Sequence, residues 1–78
     1  VMVKSRDAER WMLLAFERCG RTWCNEHCPC IHSDPVLPDA APGARIAARG
    51  RLRFYEGDDI ADEVTRFLTE MQALGQRT

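Results

Sequence analysis

Residues 5–19 read SRDAERWMLLAFERC, and the element they form decides the fold. Ser5 is placed as an N-cap, Asp7 and Glu9 fall in a first turn where the helix dipole favours anions, and Gly20 follows as a stop. Ala8, Trp11, Met12, Ala15 and Cys19 recur at helical spacing, while Leu13, Leu14 and Phe16 widen the apolar face. The pattern predicts a helix over 5–19, contacted from more than one side.

Beyond it, Pro29, Pro35, Pro38 and Pro42 interrupt residues 20–43 and Gly43 closes them, so no long regular element is expected there. A structureless stretch of that length inside a compact domain needs something to order it. Its first half supplies a candidate. All four cysteines fall between Cys19 and Cys30, and the only histidines, His27 and His32, lie in or beside the same run.

The spacing is Cys19-x4-Cys24-x3-Cys28-x-Cys30, then His32. Thiolate and imidazole are the usual donors of a tetrahedral zinc site. Cys24 and Cys28 would share one face of a helical turn, and Pro29 would end that turn and swing Cys30 toward the same point. Cys24, Cys28 and Cys30 are therefore the expected core ligands, with Cys19 or His32 as the fourth and His27 as a spare. The spacing differs from paired C-x2-C knuckles and from recognised iron–sulfur patterns. Two disulfides or reactive thiols are the competing readings of the same cysteines. Three residues separate Cys24 from Cys28, where a thioredoxin-type dithiol has two, which excludes that motif.

Residues 45–55 alternate. Ile46, Ala48, Gly50, Leu52 and Phe54 share one face, and Arg45, Arg49, Arg51, Arg53 and Tyr55 share the other, which predicts a strand or a pair hinged at Gly50. Extended, alternate arginines stand about 7 Å apart, near the phosphate spacing of a nucleic-acid strand, and Tyr55 is placed to stack on a base. Arg45, Arg49, Arg51, Arg53 and Tyr55 are thus the candidate partner-binding residues. The competing reading has these arginines paired with the acidic segment that follows, where six acids stand against Arg66 between residues 54 and 74. Ile60, Val64, Phe67, Leu68, Met71 and Leu74 mark one face of a helix over 59–74, with Gly75 past its end. Val1–Val3 are a candidate short strand.

The chain has 78 residues, 45% hydrophobic and 29% charged, with a formal net charge of −1. That allows one small domain, whose core buries only about 60% of the unfolded surface and needs help. The longest apolar run, Trp11–Phe16, falls far short of the roughly 20 residues of a membrane-spanning helix. No signal-peptide layout opens the chain, so a cytoplasmic location is the default, and Val1 ahead of Met2 reads as a fragment or an expression remnant. No Ser/His/Asp order, phosphate-binding glycine loop or pair of inward carboxylates is visible, so an enzyme is not expected.

The expected fold is α+β, a single domain over 1–78 with two amphipathic helices flanking a metal-ordered Cys/His loop and a short strand or hairpin. The expected function is a non-enzymatic, zinc-stabilised regulatory interaction module. A protein partner or homodimer is favoured over nucleic acid, with Trp11, Trp23 and Phe54 as candidate anchors. A thiol-based metal or redox sensor and a small secreted disulfide protein are the alternatives.

Overall fold

The computed structural model describes residues 1–28 and 30–75. Among the described residues there are five strands, β1 (Met2–Lys4), β2 (Arg10–Phe16), β3 (Cys19–Asn25), β4 (Cys30–Pro35) and β5 (Gly50–Glu56), followed by one helix, α1 (Ile60–Gly75). The expected two-helix arrangement is therefore wrong: the first helix is a strand, and the Cys/His loop is largely a β-hairpin.

The correction over residues 5–19 has a local cause. Ser5 does not cap a helix. Its backbone N–H donates to Arg10 O at 2.9 Å and its hydroxyl to Ala8 O at 2.7 Å, which closes a turn between β1 and β2. The run RWMLLAF then pairs on both sides, with β1 through Val3↔Met12 and with β5 through Leu13↔Arg53, both antiparallel. A segment apolar on both faces satisfies a central strand as well as a wide-faced helix, and here the strand partners decide. Gly20 lies within β3 rather than ending a helix.

The three-stranded sheet runs β1-β2-β5. α1 covers one of its faces, and the core is a single buried cluster of Leu13 (2% exposed), Phe67, Met71 and Leu74, backed by Trp11, Ala15, Tyr55, Ile60 and Val64. Asp59 caps α1, accepting from the Asp62 N–H at 3.2 Å, and its own N–H donates to the Tyr55 hydroxyl at 3.1 Å. That hydroxyl sits 2.5 Å from where a Cβ on Gly57 would be, so the turn into the helix requires glycine. α1 occupies residues 60–75 where periodicity predicts 59–74.

β3 and β4 form a separate two-stranded antiparallel sheet with a register irregularity between Cys19 and Arg21, and β4 lies against β2. The described residues between 20 and 35 are thus ordered mainly by a backbone ladder, which Pro35 ends. The corner expected at Pro29 lies outside the described residues. Residues 36–49 carry no helix or strand.

The chain extends 48 × 32 × 15 Å with a radius of gyration of 14.7 Å, against about 11.5 Å for a globule of this length. It is a thin slab, with α1 on one face of the three-stranded sheet and the β3–β4 hairpin set against β2.

Candidate functional site

β5 determines which chemistry faces solvent. In its register Arg51, Arg53 and Tyr55 stand opposite Ala15, Leu13 and Trp11, on the face that α1 covers. Arg53 Nη1 donates to Glu63 Oε1 at 3.0 Å and its Nη2 to Glu70 Oε2, while Arg51 Nη1 reaches Glu70 Oε2 at 3.2 Å. Arg53 also lies 5.5 Å over the Phe67 ring. The hydrogen bond to Glu70 is the main reason its guanidinium is held even more firmly in the charged form than usual. Glu63, only 8% exposed, is a buried acid made tolerable by this partner.

The arginine strip is accordingly not one exposed row. Arg49 pairs with Glu17 at 3.2 Å, Arg51 and Arg53 are engaged under α1, and Arg45 lies in the irregular segment before β5. The alternate residues of β5 point the other way. Phe54 is 75% exposed and Leu52 55%, and they stand opposite Met12 and Leu14 on the face that α1 does not cover. Val3, opposite Met12, continues this apolar surface onto β1. Of the three candidate anchors, Phe54 is on this surface, Trp11 packs against the core and Trp23 belongs to the hairpin. The role of Met12, Leu14 and Leu52 escapes a sequence reading that makes β2 a helix. The signal for it is the double-sided apolarity of RWMLLAF beside an alternating β5.

The β3–β4 hairpin meets the edge of this surface. Val3, Met12, Cys24, Asn25, Cys30 and Ile31 line a shallow apolar recess between them. At the hairpin tip Asn25 is opposite Cys30, Cys24 opposite Ile31 and Trp23 opposite His32. Cys30 and His32, two apart, share a face, and the His32 Nε2 lies 3.1 Å from Cys30 Sγ. Cys28, from the turn, brings its Sγ to 3.3 Å from Cys30 Sγ. The His32 ring is held by stacking on Trp23, with centroids 3.7 Å apart and planes within 3°, and Trp23 Nε1 donates to Asp34 Oδ2 at 3.0 Å. His27 lies in the turn, its backbone N–H donating to Asn25 Oδ1 at 2.9 Å.

Cys19 is elsewhere. It pairs with Pro35 at the far end of the hairpin, with its Sγ 3.4 Å from Ser33 Oγ. Five positions of strand separate it from Cys24, about 16 Å. All four thiols are free, and two disulfides formed among them would have to break this ladder.

Among the described residues no group of three or more His, Cys, Asp and Glu side chains is arranged to hold a metal ion. Cys28, Cys30 and His32 form a chain joined at Cys30 rather than a closed cage. Tetrahedral zinc holds its thiolates about 3.8 Å apart, so the Cys28–Cys30 pair at 3.3 Å would open by about half an ångström to bind one. Hydrogen bonding with Cys28, followed by desolvation, pushes the Cys30 thiol above its ordinary value. No described helix is long and apolar enough to cross a membrane. No family model, curated protein or solved structure matches the chain.

Proposed function

We propose that the protein is a non-enzymatic regulatory interaction module that docks a protein partner on the uncovered face of its three-stranded sheet. One observation carries this reading: Leu52 and Phe54 stand exposed beside the half-buried Met12 and Leu14 on the face that α1 leaves free, while the arginines of the same strand are turned toward the helix. Monomeric domains seldom leave contiguous large apolar side chains in water without a use for them. Docking on this face also answers the burial shortfall of so thin a chain.

The hairpin tip is the second element of the proposal. Cys28, Cys30 and His32 are the donors that take up zinc there, beside the docking surface, with Cys19 left out at the far end and Cys24, opposite Ile31, on the other face of the hairpin. This assignment is supported by the proximity of Cys28, Cys30 and His32 and by the chemistry of the three donors. Because the backbone ladder already orders the hairpin, zinc acts on the tip and not as the staple of a long loop.

The test of the docking reading is affinity capture from the source cells with the wild-type chain and with Leu52→Ser/Phe54→Ser, both verified as folded. The reading predicts a protein retained by the first and lost with the second. Identical retention by both contradicts it.

A thiol-sensor reading is favoured by one observation, the 3.3 Å approach of Cys28 and Cys30 in an exposed turn. In that reading a low-molecular-weight disulfide oxidises the pair. One S–S bond forms in the protein, and the reagent's S–S bond accepts two electrons and the two thiol protons, leaving as two thiols.

A further inference from the structure

β5 is an edge strand, and the two bonds that flank its ladder show which of its backbone groups are spent. Glu17 N–H donates to Arg49 O at 2.8 Å and Gly57 N–H to Glu9 O at 2.9 Å. In an antiparallel ladder such bonded pairs recur every second residue, so the odd-numbered residues of β5 bond to β2. The N–H and C=O groups of Gly50, Leu52, Phe54 and Glu56 therefore point outward along the free edge. β5, with the sequence GRLRFYE, has no proline, no lysine and no bulge; its charges are Arg51 and Arg53, held by glutamates of α1, and Glu56 at its end.

The edge is complementary to itself. The midpoint of Gly50–Glu56 is Arg53, and an antiparallel pairing about that residue sets Leu52 against Phe54 of the second copy, twice, on the uncovered face. The same pairing lets the outward groups of residues 50, 52, 54 and 56 bond reciprocally. Charge agrees with that direction. Arg45 and Arg49 precede β5, and Glu56, Asp58 and Asp59 end or follow it, so antiparallel copies lay a basic end beside an acidic end. The one like-charged pair, Arg53 with its equivalent, is on the helix side, where Glu63 and Glu70 already neutralise each guanidinium.

We propose that the first partner of this chain is a second copy of itself, joined through β5 about a two-fold axis at Arg53 into a continuous six-stranded sheet with one uncovered apolar face. This goes beyond the docking reading: the pairing uses the strand edge and joins two apolar faces into one, which stays open for docking. The isologous pairing is closed, so association stops at two.

Sedimentation of the wild-type chain over a concentration series tests this together with residue-resolved amide exchange. The expected result is a shift from 8.9 kDa to twice that mass. In step with it, amide exchange slows at Leu52, Phe54 and Glu56, whose N–H groups have no partner among the described residues of the single chain. Leu52→Pro removes an outward donor and no β2 bond, so it should give a folded monomer at concentrations where the wild type is dimeric. A monomer at every concentration, or a dimer that leaves exchange at 52, 54 and 56 unchanged, overturns the β5 pairing. If the chain is monomeric but Leu52→Ser/Phe54→Ser still loses a captured protein, the self-pairing fails and the docking reading stands. If the dimer forms by β5 and capture is indifferent to those substitutions, the docking of another protein fails instead.

Discussion

Arg53 on β5 and Glu63 on α1 are joined at 3.0 Å beneath the helix, and this pair sets which side of the strand meets water. With a guanidinium and a carboxylate engaged between helix and sheet, Leu52 and Phe54 of β5 face outward. The core that remains is small, and part of the helix–sheet contact is electrostatic.

Removing one partner of that contact should cost more than a surface ion pair. Arg53→Ala leaves Glu63, with a side chain 11% exposed, without its strongest partner, and a loss of about 2–3 kcal/mol in urea unfolding is expected. Arg10→Ala, whose pair with Glu56 is exposed on both sides, should cost less than about 0.5 kcal/mol. Equal effects would place the Arg53 pair among ordinary surface contacts. The raised Arg53 pKa keeps its contribution fully present below the unfolded arginine value and loses it only as pH rises through the folded one. The pair's arginine thus adds no pH dependence near neutrality.

The thiols should react in an order set by their surroundings. Cys30 is half-buried and its thiol is raised above the usual 9.0, first by hydrogen bonding with Cys28, so less of it is thiolate at pH 8. Iodoacetamide labelling followed by peptide mass analysis should therefore modify Cys24 and Cys28 before Cys30. The lag should close as pH rises beyond 9.0 toward the folded value. The sign for stability is the same: whatever protonated Cys30 contributes to the tip is present below the unfolded pKa and lost as pH rises through the folded one.

Metal uptake separates the two ends of the hairpin. Cobalt(II) added to the reduced protein should give thiolate charge-transfer absorption in the wild type and in Cys19→Ser, and lose most of it in Cys28→Ser, Cys30→Ser and His32→Ala. Chelation should return the spectrum to that of the free protein without cooperative unfolding of the chain, since the β3–β4 ladder is made of backbone bonds. Full loss of signal in Cys19→Ser would contradict the placement of the site at the tip.

Close packing at the start of β5 gives a test of the sheet itself. A Cβ on Gly50 would stand 2.7 Å from Ala15 O and 2.8 Å from the Phe16 ring, so Gly50→Ala must move backbone. A destabilisation of about 1–3 kcal/mol is expected in thermal or urea unfolding. A neutral result would argue against the β2–β5 register at this end.

Some of this structure is legible in the residues. α1 follows from Ile60, Val64, Phe67, Met71 and Leu74 at helical spacing behind an Asp59 cap, and β5 from its strict alternation. β2 is not, because Trp11–Phe16 is apolar on every side and its partners are far away in sequence, on β5 above all. Which face of β5 is buried is also a tertiary matter, decided by glutamates on a helix ten and more residues later. In the cysteine run the prolines signal an irregular loop, yet Pro35 merely ends β4 and leaves the ladder intact. The clustering of Cys28, Cys30 and His32 is foreshadowed by their proximity in sequence. The separation of Cys19 becomes visible only with the hairpin register, which sends it to the opposite end.

The claim that carries the rest is that β5 turns Arg51 and Arg53 inward and Leu52 and Phe54 outward, which leaves a docking face. Relaxation of side-chain NMR signals by a soluble gadolinium chelate, at protein concentrations low enough to keep the chain monomeric, measures this directly. The account predicts strong broadening at Phe54 and Leu52 and weak broadening at Leu13, Phe67 and the Arg53 guanidinium. Protection of Phe54 and Leu52 with broadening at Arg51 and Arg53 would contradict it.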